Sequence, residues 1–202
     1  SELNYSDNLV GNIKNKLIYI LAKFLYRFSD LVITNSKFEK KFIQDNFGLK
    51  NIICIHPPSI KNVIKNQIRV KYGKITNIIY VGRLSKYKGV FTILKSLTEI
   101  KKKYNFFFTF YGKGPEKKLM EKFIQSNNLR NKVSLKGFIK DKKFIFRNAD
   151  LFINASLWEG LPNALVQSIN YNVFPICSDA PGGNIEVIKK GELGMSFKKN
   201  DE

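Results

Sequence analysis

The sequence predicts an α/β fold: a doubly wound parallel sheet over residues 76–202, preceded by a helix, two short strands with a helix between them, and a linker. Two observations predict it. From residue 76 onward, short apolar runs rich in β-branched and aromatic residues alternate with segments of helical period. Several of those runs lead straight into a glycine, the mark of a tight strand exit. Strand–helix–strand alternation of this kind requires parallel pairing through right-handed crossovers. Ligands of such sheets bind beyond the carboxyl ends of the strands, so function is sought at the strand exits.

Residues 8–28, "NLVGNIKNKLIYILAKFLYRF", read as a helix. Leu9, Ile13, Leu17, Ile20, Leu21, Phe24 and Phe28 form a stripe, with Lys16, Lys23 and Arg27 off it. Such a stripe fits the surface helix of a domain. The basic flank also fits a helix resting on anionic lipid. "DLVITNS" (30–36) is a short strand, and Ser36 is placed to cap the helix "KFEKKFIQDNF", which Gly48 ends. "NIICIHP" (51–57) is a second strand, stopped by Pro57 and Pro58. Residues 58–75 are polar and lysine-rich without a period, and read as a linker.

The regular pattern then begins. Strand 77–82 precedes a helix over 88–103, with Val90, Ile93, Leu94, Leu97 and Ile100 on one face. Strand 106–112 precedes a helix from Pro115, and strand 132–137 a short helix over 141–148. Strand 150–156 precedes a helix from Pro162, and strand 173–179 a short helix over 184–190. Strand 194–197 follows. The aromatic run Phe106–Phe108, with Phe110 and Tyr111, reads as a core strand covered on both faces, not as a base-stacking platform.

The strand exits carry the candidate chemistry. They are "GRLSKYKG" (Gly82, Arg83, Lys86, Lys88, Gly89), "GKGP" (Gly112, Gly114, Pro115), "GFI" (Gly137, Phe138, Ile139), "SLWEGLPNALVQ" (156–167) and "SDAPGGN" (Ser178, Asp179, Gly182, Gly183). Glycine lets backbone approach a ligand closely. Arg83 and Lys88 supply cations where a pyrophosphate would need them. In the fourth exit a carboxylate, Glu159, precedes a helix start, where unpaired N–H groups and the macrodipole attract anions. Glu159 either sits favourably near that dipole or faces the far end of a phosphate-bearing ligand. "GKGP" is neither a Walker loop nor a G-x-G-x-x-G turn. Trp158 is core or pocket wall.

Composition narrows the classes. With 44% hydrophobic and 25% charged residues in 202, the chain is an ordinary globular sequence. Its net charge of +19 is not ordinary. That charge fits nucleic acid, a membrane surface or acidic ligands, or a global bias toward Lys, Asn, Ile and Phe. Lysines are spread throughout and arginines, the usual base readers, are few. Cys54 and Cys177 lie far apart in apolar runs and read as reduced core residues of a cytosolic protein. A zinc site needs more ligands than these with the one histidine, His56, which reads as structural. No run of about 18 apolar residues and no signal peptide is visible. Starting on Ser1 suggests a beginning inside a longer protein.

Taken in order, the motifs "VGRLSKYKG", "YGKGPEKKLM", "VSLKGFI", "ADLFINASLWEGLPNALVQSI" and "PICSDAPGGNIEVI" resemble the donor-binding domain of retaining nucleotide-sugar glycosyltransferases of the GT-B type, family four or "group 1". "DLVITNSKFEKKFI…NIICIHPPSI" resembles the end of that family's N-terminal domain. The resemblance implies a Rossmann-like sheet forming the C-terminal half of a GT-B fold, with residues 1–57 a remnant of the acceptor-side domain, 58–75 the linker and 76–202 the donor-binding domain.

It also implies roles. Arg83 and Lys88 would hold the donor diphosphate, in place of a metal, so neither metal nor cofactor is expected, and Gly82 and Gly112 would stand among the donor-binding residues. Backbone N–H groups from Leu161 through Pro162 and Asn163 to Ala164, after Gly160, would meet the phosphates. Glu159, the catalytic candidate, would contact the sugar hydroxyls, and the backbone near Phe138 would lie against the base. Retention by front-face attack, the leaving phosphate taking the acceptor proton, calls for electrostatic stabilisation more than a protein base. Where the family commonly has a second glutamate for the ribose, this chain has Gln167. Most of the acceptor domain and the family's tail helix are missing from this pattern, so the chain reads as a fragment of a cytoplasmic enzyme working at the inner membrane face. Its partners would be a nucleotide sugar, most simply UDP-linked, and a glycan or lipid-linked acceptor in surface polysaccharide or glycoconjugate synthesis, with peripheral contact to anionic membrane and no nucleic acid. A non-catalytic nucleotide-sugar module working with a partner chain, and a basic nucleic-acid or membrane binder, are the alternatives.

Overall fold

The alternation seen in the sequence becomes one continuous parallel sheet in the computed structural model, which describes residues 9–60, 63 and 75–198, with side chains from residue 16. Its strands are β3 (Thr76–Val81), β4 (Phe106–Tyr111), β5 (Val133–Gly137), β6 (Leu151–Asn154), β7 (Phe174–Ser178) and β8 (Met195–Phe197). They pair in the order β5-β4-β3-β6-β7-β8, every pair parallel. The chain runs outward from β3 through β4 to β5, then returns to the other side of β3 with β6. That reversal opens a crevice beyond the carboxyl ends of β3 and β6.

Side-chain alternation along the central strands feeds two cores, one on each face. On one face Ile78, Tyr80, Phe108 and Phe110 meet Val90, Ile93, Leu94 and Leu97 of α3 (Val90–Ile100) and Met120 and Ile124 of α4 (Lys117–Ser126). On the other, Ile79, Phe152 and Cys177 meet Ile145 and Phe146 of α5 (Lys142–Phe146) and Leu165 of α6 (Asn163–Asn170). A sheet covered on both faces is what all-parallel pairing needs. Coverage thins at β4, where Phe107 stands 36% exposed, so that strand is not enclosed on both faces along its whole length.

Element ends differ from expectation where local geometry intervenes. Lys86–Lys88 form a 3₁₀ turn ended by Gly89 in the left-handed region, so α3 starts at Val90 and stops at Ile100. The Pro115 segment stays a turn until Lys117. The expected helix over 184–190 divides into α7 (Asn184–Val187) and a 3₁₀ turn at Lys189–Gly191, because Lys189 and Lys190 take positive φ.

The N-terminal part is smaller. α1 (Leu9–Leu25) runs into a 3₁₀ turn, then β1 (Val32–Thr34), α2 (Lys37–Phe47) and β2 (Ile52–Cys54), with β1 parallel to β2. The predicted caps form: Ser36 Oγ accepts from the Glu39 N–H at 3.2 Å, and Gly48, at φ 68°, closes α2 by donating to the Gln44 carbonyl. α1 packs by another face than its apolar stripe suggests. Tyr19 and Tyr26 meet Phe47, while Leu17, Ile20, Phe24 and Phe28 are exposed, Phe28 by 75%. Leu9 and Ile13 of that stripe, and most of the linker, lie outside the described side chains. Among the described residues no helix is long and apolar enough to cross a membrane.

The glycines at the strand exits give a direct test. At Gly112 a Cβ would sit 1.8 Å from the Gly82 carbonyl oxygen, at φ 153°. At Gly48, φ 68°, a Cβ would meet nothing within 4 Å. Gly48→Ala therefore isolates the cost of a left-handed backbone, about 1–2 kcal/mol. Gly112→Ala adds a clash between two β-strand exits and is expected to cost more than Gly48→Ala in urea titrations. Equal losses would mean that the exits separate freely.

Candidate functional site

The crevice at the sheet's reversal is a cleft of about 630 Å³. Its lining includes Gly82, Arg83, Lys88, Gly112, Phe138, Glu159, Leu161, Pro162, Asn163, Ala164 and Gln167. Four separate strand exits thus bring all but one of the residues expected to bind the donor to one place. Gly160 is the exception: it is not a lining residue, its carbonyl accepts from the Gly183 N–H at 2.8 Å, and its α-carbon faces Asn35 and Glu39.

The first exit is held from below. Tyr80 is buried under it, and its hydroxyl donates to the Arg83 carbonyl at 2.8 Å. Burial, helped by the Glu159 charge, pushes that phenol far above its ordinary range, so it stays a donor. Arg83 is exposed at the cleft mouth. Lys88, at the end of the 3₁₀ turn, reaches across to Glu159, its Nζ 2.7 Å from Oε2. The two side chains are only 19% and 12% exposed, so removing either one would leave the other's charge poorly solvated and unpaired.

Glu159 is the centre of a buried polar network. Ser156 Oγ lies 2.6 Å from Glu159 Oε1 and 2.6 Å from Asn154 Oδ1, and its single proton serves one of them at a time. Asn154 Nδ2 donates weakly to Glu159 Oε1 and to Asn184 Oδ1, both at 3.3 Å, and Asn184 Nδ2 donates to the Ser178 carbonyl at 3.0 Å. The network joins β6, α7 and the exit of β7. Backbone contacts lock it. Gly182, at φ 132°, lies so close to the Glu159 carbonyl that a Cβ would sit 1.7 Å from it. The glycine expected to admit a ligand instead admits the neighbouring loop.

At the start of α6 the donors are the N–H groups of Leu161, Asn163 and Ala164. Pro162, although placed among the candidates, has no N–H to give. It serves through its carbonyl, which accepts from Leu165 and Val166. One residue that carried no signal, Ser59, holds this helix to the preceding segment. Its hydroxyl donates to Asn163 Oδ1 at 2.6 Å, and its carbonyl accepts from Gln167 Nε2 at 3.1 Å. Lys113, inside the "GKGP" exit but not assigned a role there, and Lys142 also line the cleft. With Arg83 and Lys88 they make, among the described residues, four cations around a single lining carboxylate, Glu159. Such a cleft suits an anionic ligand that also carries hydroxyl groups.

The remaining candidates fall outside the cleft. Trp158 points to α2, edge-on to Phe38 and Phe42 at 5.6 and 6.3 Å between ring centroids, and so joins the two sheets. Cys177 is fully buried, and burial pushes its thiol up to about 12. Cys54 is only half-buried, less enclosed than a core position. His56 has a partner that no local pattern could reveal: its Nε2 lies 2.6 Å from Glu186 Oε1, 130 residues away.

Comparison with known proteins agrees with this architecture. The family model described as glycosyl transferases group 1 matches residues 60–202. The chain is similar to the uncharacterized glycosyltransferase MJ1059 of Methanocaldococcus jannaschii, 29% identical over 91% of this chain and 48% of that one. It is also similar to the N-acetylgalactosamine-N,N'-diacetylbacillosaminyl-diphospho-undecaprenol 4-alpha-N-acetylgalactosaminyltransferase of Campylobacter jejuni, 26% identical over 98% of this chain and 54% of that one. The chain thus spans about half the length of these relatives. Among solved structures, a mutant of Staphylococcus aureus TarM in complex with Fondaparinux, alpha-GlcNAc-glycerol and UDP shares the fold, with a TM-score of 0.80 at 19% identity over 98% of this chain and 39% of that one. With most of its length matched by that family model and its sheet superposing on a GT-B enzyme, the chain belongs to the glycosyl transferases group 1.

Proposed function

We propose that the cleft binds a nucleotide sugar, UDP-linked, for transfer to a glycan or lipid-linked acceptor with retention at the sugar carbon. The observation carrying this reading is the meeting of Arg83, Lys88, the α6 N-terminus and Glu159 in one cleft at the sheet's reversal. The relative from Campylobacter is named for transfer onto a diphospho-undecaprenol substrate, and TarM was solved with UDP, which favours the same ligand class here.

In this reading the diphosphate lies between Arg83, Lys88 and the N–H groups of Asn163 and Ala164. Lys88 is shared: a phosphate draws its ammonium, and Glu159 is then left to accept from sugar hydroxyls while Ser156 and Asn154 hold it in place. Negative charge gathering on the departing phosphate is met by fixed cations and helix donors, so the step calls on no metal in this reading. The phosphate accepts the acceptor's proton as the glycosidic bond to it breaks and the new one forms on the same face. Phe138, 66% exposed at the rim, lies beside the base. The apolar side chains exposed on α1, with nearby lysines, supply a peripheral contact with anionic membrane.

Three outcomes follow. Lys88→Ala should weaken UDP binding by about 1.5–3 kcal/mol, the range for a hydrogen bond to a charged group. Unchanged affinity by calorimetry, in a variant with native circular dichroism, would remove Lys88 from the phosphate site. Gln167 spends its Nε2 on the Ser59 carbonyl, leaving Oε1 to accept from a ribose hydroxyl. Gln167→Ala should therefore weaken UDP while leaving pyrophosphate binding alone, and equal losses for both would end the ribose assignment. Transfer needs donor and acceptor held in one geometry, worth roughly 7–11 kcal/mol of barrier. The 202 residues alone are expected to bind UDP yet move no radiolabelled sugar onto lipid-linked or glycan acceptors. Steady transfer without any partner would place the acceptor site within this chain.

A further inference from the structure

Away from the cleft, three side chains of metal-binding type come together. Cys54 Sγ, a His56 ring nitrogen and a Glu186 carboxylate oxygen all lie within 4.8 Å of one another. None of the three lines the cleft. We propose that they form a binding site for a Zn²⁺-like transition metal, which ties the β1–β2 unit to α7 of the large sheet.

The chain builds this cluster from both of its sheets. Cys54 ends β2, and the ladder continues one residue further, since the Ile55 N–H donates to the Thr34 carbonyl at 2.9 Å. Residues two apart on an extended strand point to the same side, which puts the Cys54 thiol and the His56 imidazole together. Glu186 arrives from α7 and is already oriented. The Lys37 N–H donates to its Oε2 at 2.9 Å, leaving Oε1 toward His56. A ligand carboxylate held by an outer hydrogen bond is the arrangement metal sites use to fix their donors.

The donor set selects the metal. Thiolate, imidazole and carboxylate together suit Zn²⁺ and its neighbours, whereas Mg²⁺ and Ca²⁺ prefer all-oxygen shells. With Oε2 engaged by Lys37, Glu186 binds through one oxygen, so the protein supplies three ligands and water the fourth. His56 is 47% exposed, which gives the ion and that water a path. Binding replaces the short His56–Glu186 hydrogen bond. Zn–N and Zn–O bonds of about 2.1 Å in tetrahedral geometry hold those atoms about 3.4 Å apart, so the pair opens by under 1 Å. The Cys54 thiol gives its proton to solvent and binds as thiolate. The ion then adds to the Lys37–Glu186 hydrogen bond and the Trp158 contacts in linking the two sheets.

The test uses the whole chain, freed of metal with a chelator and titrated with Co²⁺ and Zn²⁺. One equivalent of Co²⁺ should produce a thiolate-to-cobalt charge-transfer band, which Zn²⁺ removes by displacement. Zn²⁺ should also shield Cys54 from alkylation and raise the melting temperature. Cys54→Ser leaves the His56–Glu186 bond in place, so it should fold. It should lose the band and bind Zn²⁺ about 100-fold more weakly or worse, since even outer partners cost 10–100-fold. Cys177→Ser should keep both the band and the affinity. No charge-transfer band in the unmutated chain overturns the proposal without recourse to any variant. Undiminished Zn²⁺ affinity in Cys54→Ser overturns it as well. UDP binding enters none of these measurements, so they stand apart from the fate of the nucleotide-sugar reading.

Discussion

Backbone against backbone at the strand exits is the contact on which the site rests. The Glu159 carbonyl occupies the space a side chain at residue 182 would take, and the Gly82 carbonyl does the same at residue 112. Only glycine permits such approach. Because the loops after β3 and β4 touch, as do those after β6 and β7, groups from distant parts of the chain converge without long side chains having to bridge the gap. Lys88 can reach Glu159 at 2.7 Å because the 3₁₀ turn that carries it packs against the end of β6, where the Leu157 N–H donates to the Tyr87 carbonyl.

That frame also explains how a carboxylate is kept largely buried in a cleft whose other charged lining residues are cations. Glu159 has an ammonium on one oxygen and two neutral donors near the other. A buried charge without such partners would cost several kcal/mol. The network continues through Asn154 and Asn184 to the β7 exit, so the carboxylate's position is tied to the packing of α7. α7 in turn carries Glu186, which meets His56 and the start of α2. The cleft and the junction between the sheets therefore share one short helix. Trp158, immediately before Glu159, packs on Phe38 and Phe42 and couples the same two regions through apolar contact.

Much of this was legible from residue order alone. The apolar runs of β3 and β4 and the helical stripe of α3 are local patterns, and each appears where expected. The Ser36 cap and the Gly48 stop depend on side chains three or four residues away and were equally readable. Boundaries failed where backbone conformation overrode pattern, as at Lys189 and Lys190, whose positive φ broke an apparent helix. The α1 stripe misled because helical period states which residues share a face, not which face finds a partner. Two tyrosines with an aromatic neighbour decided that.

What the sequence determined by itself, then, was the set of elements, their parallel sense and the identity of the strand exits. These follow from backbone propensity and short-range periodicity, which act within a few residues. Tertiary structure alone decided which exits meet. The pairing of β3 with β6 joins segments some 70 residues apart, and from it follow the Lys88–Glu159 ion pair, the clamp of Ser59 on Gln167 and the meeting of Cys54, His56 and Glu186. No local pattern encodes such pairs. Each partner taken singly is an ordinary lysine, serine or glutamate, and its role exists only once strand order and glycine-permitted loop contact have closed the distance.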